Sequence, residues 1–176
     1  GSPVVLDKGW RVGITGDADA ASPEFDDSGW AIRDAQGAIA DVADEREPAG
    51  GPGAEEHRGS QGRGPRRYAW FRLHIKLAPN HGPVSLLVEL PVSQNTSLGI
   101  GAAGPGVDIF ANGKQVHPEG LHGDAPQHYQ QLSRIYDLNM APSETSLTLV
   151  ARAPYIPKGF GSYTGFFANR KLILGN

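Results

Sequence analysis

Ten consecutive residues, Tyr68 to Leu77, alternate between two kinds of side chain. Ala69, Phe71, Leu73, Ile75 and Leu77 fall on one side, and Tyr68, Trp70, Arg72, His74 and Lys76 on the other. A period of two means a strand with one aliphatic face turned to a core. Such a strand needs neighbours on its edges and a second apolar layer against its aliphatic face.

The rest of the chain supplies both as further strands. Gly9–Ile14 is a short alternating run, and Phe25-Asp26-Asp27-Ser28-Gly29-Trp30 reads as a tight turn that delivers Trp30 into the strand Trp30–Arg33. There the Asp side chains and Ser28 are expected to bond nearby backbone N–H groups, with Gly29 free to take a positive φ. After the turn Pro79-Asn80-His81-Gly82-Pro83 comes Val84–Leu90. Val107–Val116 holds the Asn112-Gly113 pair that a type I′ hairpin needs at its two positive-φ positions. Gln131–Leu138 and Leu147–Arg152 are further strands, and the tail from Tyr163 to Leu174 closes the sheet. Gly (24) and Pro (14) together exceed a fifth of the 176 residues, which suits short strands joined by many turns. No segment carries a helical period. The expected fold is all-β, a two-sheet antiparallel β-sandwich.

A single domain is expected over residues 1–176, with one long flexible loop at about 36–67. That loop is Gly- and Pro-rich and too poor in apolar residues to offset its ordering entropy, although Ile39 and Val42 are placed to pin its first part to the sandwich. The net charge of −3 gives no field that attracts nucleic acid, and the local cluster Arg63, Arg66 and Arg67 sits beside acidic residues. With no cysteine, neither a disulfide framework nor a thiolate site is available. No apolar run is long enough for a transmembrane helix and no signal peptide is seen, so membrane attachment would come only through flanking segments. The opening Gly1-Ser2 looks like the scar of a cleaved tag, which makes the chain an excised piece.

Three elements carry a resemblance. Pro23-Glu24-Phe25-Asp26-Asp27-Ser28-Gly29-Trp30, following the short strand at Trp10, is similar to the opening of galactose-binding-like, jelly-roll domains. Trp70-Phe71-Arg72 resembles their W-(Y/F)-R strand, and Val107–Lys114 their N-G hairpin. The order and spacing match the sugar-binding N-terminal domains of β-galactosidases and β-glucuronidases. The sequence departs from that pattern in its long 36–67 loop and in Ala111, where a β-branched residue is usual. Residues 165–175 also resemble the exit of such domains in extracytoplasmic sensors of bacterial membrane signalling proteins, serine phosphatases among them. The resemblance implies ligand binding without catalysis, and it allows a structural calcium ion.

The residues themselves say little for catalysis. No Gly-x-Ser-x-Gly elbow precedes a helix. The carboxylate pairs Asp26/Asp27 and Glu55/Glu56 are adjacent, so on a strand they point to opposite faces and cannot flank a glycosidic bond. His117, His122, His128 and Asp124 lie close together but match no ligand spacing and read as a solvated loop.

Trp10 and Trp30 read as packing at the edges of the core. Trp70 shares a strand face with Tyr68, Arg72 and His74, a combination suited to stacking on a sugar and bonding its hydroxyls. The competing reading has Trp70 and Arg72 covered by a loop, with 36–67 as a candidate cover. Arg152 falls opposite the inward Leu147–Leu149–Ala151 face. The aromatic-rich stretch 154–167, with Tyr155 and Tyr163, reads either as a binding surface or as a lid.

The expected ligand-binding set is therefore Tyr68, Trp70, Arg72, Arg152, Tyr155 and Tyr163. The first functional expectation is an extracytoplasmic sensory module that binds a carbohydrate-like ligand, taken from a membrane-anchored signalling protein. The alternatives are an accessory carbohydrate-binding domain of a glycoside hydrolase, and an association domain that forms a homodimer or holds a partner domain.

Overall fold

The computed structural model describes residues 3–35, 39, 41–42, 67–89, 108–119, 134–155 and 171–175. Among them are eleven strands: β1 (Val4–Val5), β2 (Trp10–Thr15), β3 (Ala31–Arg33), β4 (Tyr68–Lys76), β5 (Ser85–Glu89), β6 (Asp108–Ala111), β7 (Lys114–Val116), β8 (Pro118–Glu119), β9 (Arg134–Asp137), β10 (Ser146–Pro154) and β11 (Lys171–Gly175). They form two antiparallel sheets, one of five strands in the order β1-β11-β5-β9-β8 and one of six in the order β3-β2-β4-β10-β6-β7. The fold is an all-β sandwich, as the alternation at 68–77 predicts.

β4 is the long central strand of the six-stranded sheet, paired along its length with β10 and with β2 on its other edge. Its aliphatic face does point inward. Ala69 and Phe71 are fully buried, and Leu73 and Ile75 pack against the same cluster. Val12, Ile14, Ile109, Leu147, Leu149 and Ala151 join them from the same sheet, and Leu86, Val88, Tyr136, Leu172 and Leu174 from the other. Each Val, Leu, Ile or Phe side chain among them, once removed from water, contributes about 1.5–3 kcal/mol. Trp10 lies within this core rather than at its edge, edge-on to Phe71 at 6.3 Å, with its indole N–H donating to the Leu6 carbonyl at 3.1 Å. Ile39 is fully buried here and Val42 packs against it.

The Asn112-Gly113 hairpin forms as the sequence predicts, with φ of 50° and 88° at the two turn residues. Asn112 does more than turn the chain. Its Oδ1 accepts from the Thr148 N–H at 2.7 Å and its Nδ2 donates to the Ser146 carbonyl at 3.1 Å, fastening the turn to β10.

Three features depart from the expectation. Val4–Val5 and Pro118–Glu119 add short strands too brief to show periodicity. The acidic, Ala-rich stretch after β2 is a single 3-10 turn, Ala18–Ala21, capped by Asp17, whose side chain accepts from the Asp19 N–H. In the Phe25–Trp30 turn, Asp26 caps the Ser28 N–H and hydroxyl at 3.0 and 2.7 Å, but Gly29 is not left-handed and Asp27 serves another purpose.

Candidate functional site

Residues 17–30 fold back over the outer face of the six-stranded sheet and build a second, smaller core there. Ala20, Trp70, Phe110 and Val150 are its buried members, with Ala21, Phe25, Trp30 and Tyr68 packed against them. Trp30 lies across β2 at Gly13, where an added Cβ would come under 3.0 Å from three ring atoms. Arg11 helps to hold the segment down by donating to the Trp30 carbonyl at 3.2 Å.

This cover corrects two of the expected ligand contacts. Trp70 and Arg72 are both 0 % exposed. The Trp70 ring lies among Tyr68, Phe110 and Ala20, and its N–H donates to the Thr15 carbonyl at 3.0 Å. A ring enclosed on these sides has no free face for a sugar, so the covered, structural reading holds. Among the described residues, Ala20, Tyr68 and Phe110 cover Trp70, and Ala20, Ser22, Phe25 and Asp27 cover Arg72.

Arg72 is the post to which the cover is tied. Its Nε bonds Asp27 Oδ2 at 2.7 Å, Nη1 donates to the carbonyls of Ala20 and Ser22 at 2.5 and 3.0 Å, and Nη2 to that of Phe25 at 3.2 Å. The guanidinium also stacks 5.3 Å from the centre of the Phe25 ring. A buried charge is tolerable only when paired and hydrogen-bonded, and here four acceptors meet that condition. Burial works to raise the Asp27 carboxyl, but the hydrogen bonds and charges of Arg72 and His74 outweigh it and hold the group below the usual carboxylate range.

His74, with its side chain 51 % exposed, places Nε2 3.0 Å from Asp27 Oδ2 and Nδ1 3.3 Å from the Thr148 hydroxyl. Carboxylate, imidazole and hydroxyl in line have the connectivity of a nucleophile relay. Thr148 is only 7 % exposed, however, and Asp27 is already committed to Arg72, so the row braces the sheet. No group of three or more metal-ligating side chains occurs among the described residues.

The outer face is also partly open around Arg152. Arg152 on β10 is 21 % exposed and Asp108, opposite it on β6, is 29 % exposed. Arg152 Nε donates to Asp108 Oδ2 at 2.8 Å, while Gln115 on β7 donates to Asp108 Oδ1 at 3.3 Å. The guanidinium is flanked by three rings, at 4.2 Å from the centre of Tyr68, 5.3 Å from Trp70 and 5.2 Å from Phe110. Contacts of this kind are worth about 0.5–2 kcal/mol each, and they hold the fork in one orientation. The result is a row of Tyr68, Arg152, Asp108 and Gln115: an aromatic ring, a guanidinium, a carboxylate and an amide on adjacent strands. Arg152 and Asp108 cancel in charge.

Of the remaining expected contacts, Tyr68 and Arg152 are brought together, and Tyr155 is not. Tyr155 follows Ala153 onto the inward side, packs partly buried against the main core, and its N–H donates to the Arg67 carbonyl at 3.0 Å. Tyr163 lies outside the described residues, as do His122, Asp124 and His128. Sequence reasoning missed Asp108 and Gln115. Alternation would have placed Asp108 and Phe110 on one face, but nothing in the sequence shows that β6 pairs with β10.

No protein-family model matches the chain, and no curated protein matches it in sequence. Solved structures do match in shape. Bacteroides uniformis β-glucuronidase 2, covalently bound to cyclophellitol-6-carboxylate aziridine, aligns with a TM-score of 0.55 at 14 % identity, covering 98 % of this chain and 18 % of that one. A glycosyl hydrolase family 2 member from Bacteroides cellulosilyticus aligns with a TM-score of 0.56 at 13 % identity, covering 98 % and 20 %. A β-glucuronidase from glycoside hydrolase family 2 aligns with a TM-score of 0.55 at 12 % identity, covering 98 % and 17 %. The chain thus spans about a fifth of the glycoside hydrolases it matches, and at these identities the likeness is one of fold. That fold is a galactose-binding-like β-sandwich.

Proposed function

We propose that the protein is a non-catalytic accessory domain that holds a neutral saccharide on the outer face of its six-stranded sheet, at Tyr68, Arg152, Asp108 and Gln115. The observation that carries the reading is the Arg152 fork, fixed by three rings and by Asp108 and still partly open to solvent. Sugar sites pair an aromatic surface for C–H groups with a few fixed polar groups for hydroxyls. A guanidinium neutralised by its own carboxylate favours hydroxyls over anions, because an anion would compete with Asp108. The shape shared with glycoside hydrolases supports the accessory reading, as does the small share of those chains that this one spans.

The sensory alternative drew on residues 165–175. Of these only 171–175 are described, and they form an interior strand of the five-stranded sheet, so no observation favours that reading over the accessory one. An extracytoplasmic location belongs to the proposal and is tested by fractionating cells that make the protein.

Thermal unfolding against neutral and acidic oligosaccharides, with and without calcium, tests the function. A sugar at a hundred times its dissociation constant stabilises the folded state by about 2.7 kcal/mol. A shift with neutral sugars that Arg152→Ala abolishes supports the proposal. No shift with any sugar, in a protein that melts cooperatively, overturns it and favours a protein-association domain.

A further inference from the structure

We propose that His81 is a charged latch, protonated on both ring nitrogens, that ties the loop Pro79–Pro83 to the turn Ala141–Thr145 and is released when the ring loses a proton. The site lies at one end of the sandwich, away from the Arg152 row. His81 is 8 % exposed. Its Nδ1 is 2.8 Å from the Gly82 carbonyl oxygen and its Nε2 is 2.7 Å from the Glu144 carbonyl oxygen. Carbonyl oxygens only accept, so each nitrogen must carry a hydrogen. A neutral imidazole has one N–H and would turn a lone pair toward the other oxygen, leaving a buried bond unmade. The charged ring satisfies both.

The two segments it joins are two of the connections that cross between the sheets. β4 leads to β5 through residues 77–84, passing from the six-stranded to the five-stranded sheet, and β9 leads back to β10 through residues 138–145. Backbone bonds already bring them together, from Asn80 N–H to the Pro142 carbonyl at 3.1 Å and from Leu77 N–H to that of Thr145 at 2.7 Å. His81 adds the one tie between these crossings whose strength depends on a proton.

Two carboxylates stand near. Glu144, on the turn itself, bonds the Ala141 N–H through Oε1 at 2.7 Å, and its charge favours the imidazolium. Asp137, at the end of β9, caps the Asn139 N–H at 2.8 Å and, with His81 and Met140, lines a groove of about 290 Å³. No lysine or arginine lines that groove among the described residues. The hydrogen bonds to the Gly82 and Glu144 carbonyls raise the His81 ring above its ordinary value of 6.5, burial opposes them, and the Glu144 charge adds to the rise. A histidine raised in the folded state gives stability that is whole below pH 6.5 and is lost as pH climbs through the higher folded value.

NMR titration of the ring nitrogens in the whole chain tests this, with the His81 signals assigned by their absence in His81→Gln. At pH 6.5 both His81 nitrogens are expected to show the protonated shift, with a midpoint above that of an ordinary histidine. Past the midpoint the neutral fraction relative to the charged one grows about tenfold per pH unit. Amide exchange at residues 79–83 and 141–145, corrected for its intrinsic pH dependence, should rise with it while exchange in β4 and β10 does not. A His81 ring that is a neutral tautomer at pH 6.5, or exchange that rises equally throughout the molecule, overturns the proposal. The wild-type titration decides the matter even if His81→Gln folds poorly, since the remaining histidines can be assigned in the same way.

Discussion

Arg72 is buried on the outer face of β4 with four hydrogen-bond acceptors around its guanidinium, and Asp27 supplies the charged one. Alternation correctly put Arg72 on the outer face of β4, but an outer face is exposed only if nothing folds over it. Three of the four hydrogen-bond acceptors around Arg72 are backbone carbonyls, from Ala20, Ser22 and Phe25, which leave no mark in a sequence. Asp27 is the one side chain among them, and it stands in a run that reads equally well as a turn. Removing it strands a buried guanidinium. Asp27→Ala is therefore expected to cost about 3–5 kcal/mol in chemical denaturation. The same carboxylate predicts a pH effect with a definite sign. Its folded value lies below the ordinary one, so its contribution is whole above about pH 3.9 and is lost as pH falls through the folded value. Denaturation midpoints between pH 7 and 3 should show that loss in the wild type and a weaker one in Asp27→Asn. Gly13 is a second residue whose role is visible only in three dimensions. Gly13→Ala would drive a methyl into the Trp30 ring and is expected to destabilise by about 1–3 kcal/mol. In Trp30→Ala the same change should be far milder, and the double-mutant cycle reads the difference.

Elements were legible in proportion to their length and regularity. β4 and β10, nine residues each, gave clean alternation and were placed within a residue or two. The β6–β7 hairpin was legible because its turn needs two positive-φ residues and Asn-Gly supplies them. The strands β1 and β8, two residues each, were invisible because two residues carry no period. The 17–30 cover was missed for a different reason. Its apolar residues Ala20, Ala21, Phe25 and Trp30 follow neither a period of two nor one of three to four, because a 3-10 turn followed by tight turns has no regular face. Pairing order between strands was also silent, and that hid Asp108 from the candidate site. The hairpin carries a prediction of its own. Asn112 meets its positive φ and fastens β10 with its side chain, so Asn112→Ala loses both. Asn112→Gly keeps the backbone conformation and loses only the hydrogen bonds. Unfolding free energies should fall by about 1–3 kcal/mol in either variant, with Ala the worse.

At the scale of the whole molecule, two sheets close over one main core, and a folded-back segment closes a second core on the outside of the larger sheet. That second core removes Trp70 and Arg72 from the surface, while the Tyr68–Arg152–Asp108–Gln115 row keeps aromatic and polar groups together and partly exposed. If the proposed function holds, binding resides in that row and is indifferent to conservative changes under the cover. Val150→Ala, beneath the cover, is accordingly expected to lower stability and leave sugar affinity unchanged, as measured by calorimetry at a temperature where the variant is folded. The most direct test of this account is a backbone and side-chain NMR titration with the neutral oligosaccharide that raises the melting temperature most. The account predicts shifts centred on Tyr68, Asp108, Gln115 and the Arg152 Nε–H, with the Arg72 Nε–H unmoved. Shifts that bypass this row, or none at saturating sugar, would contradict it.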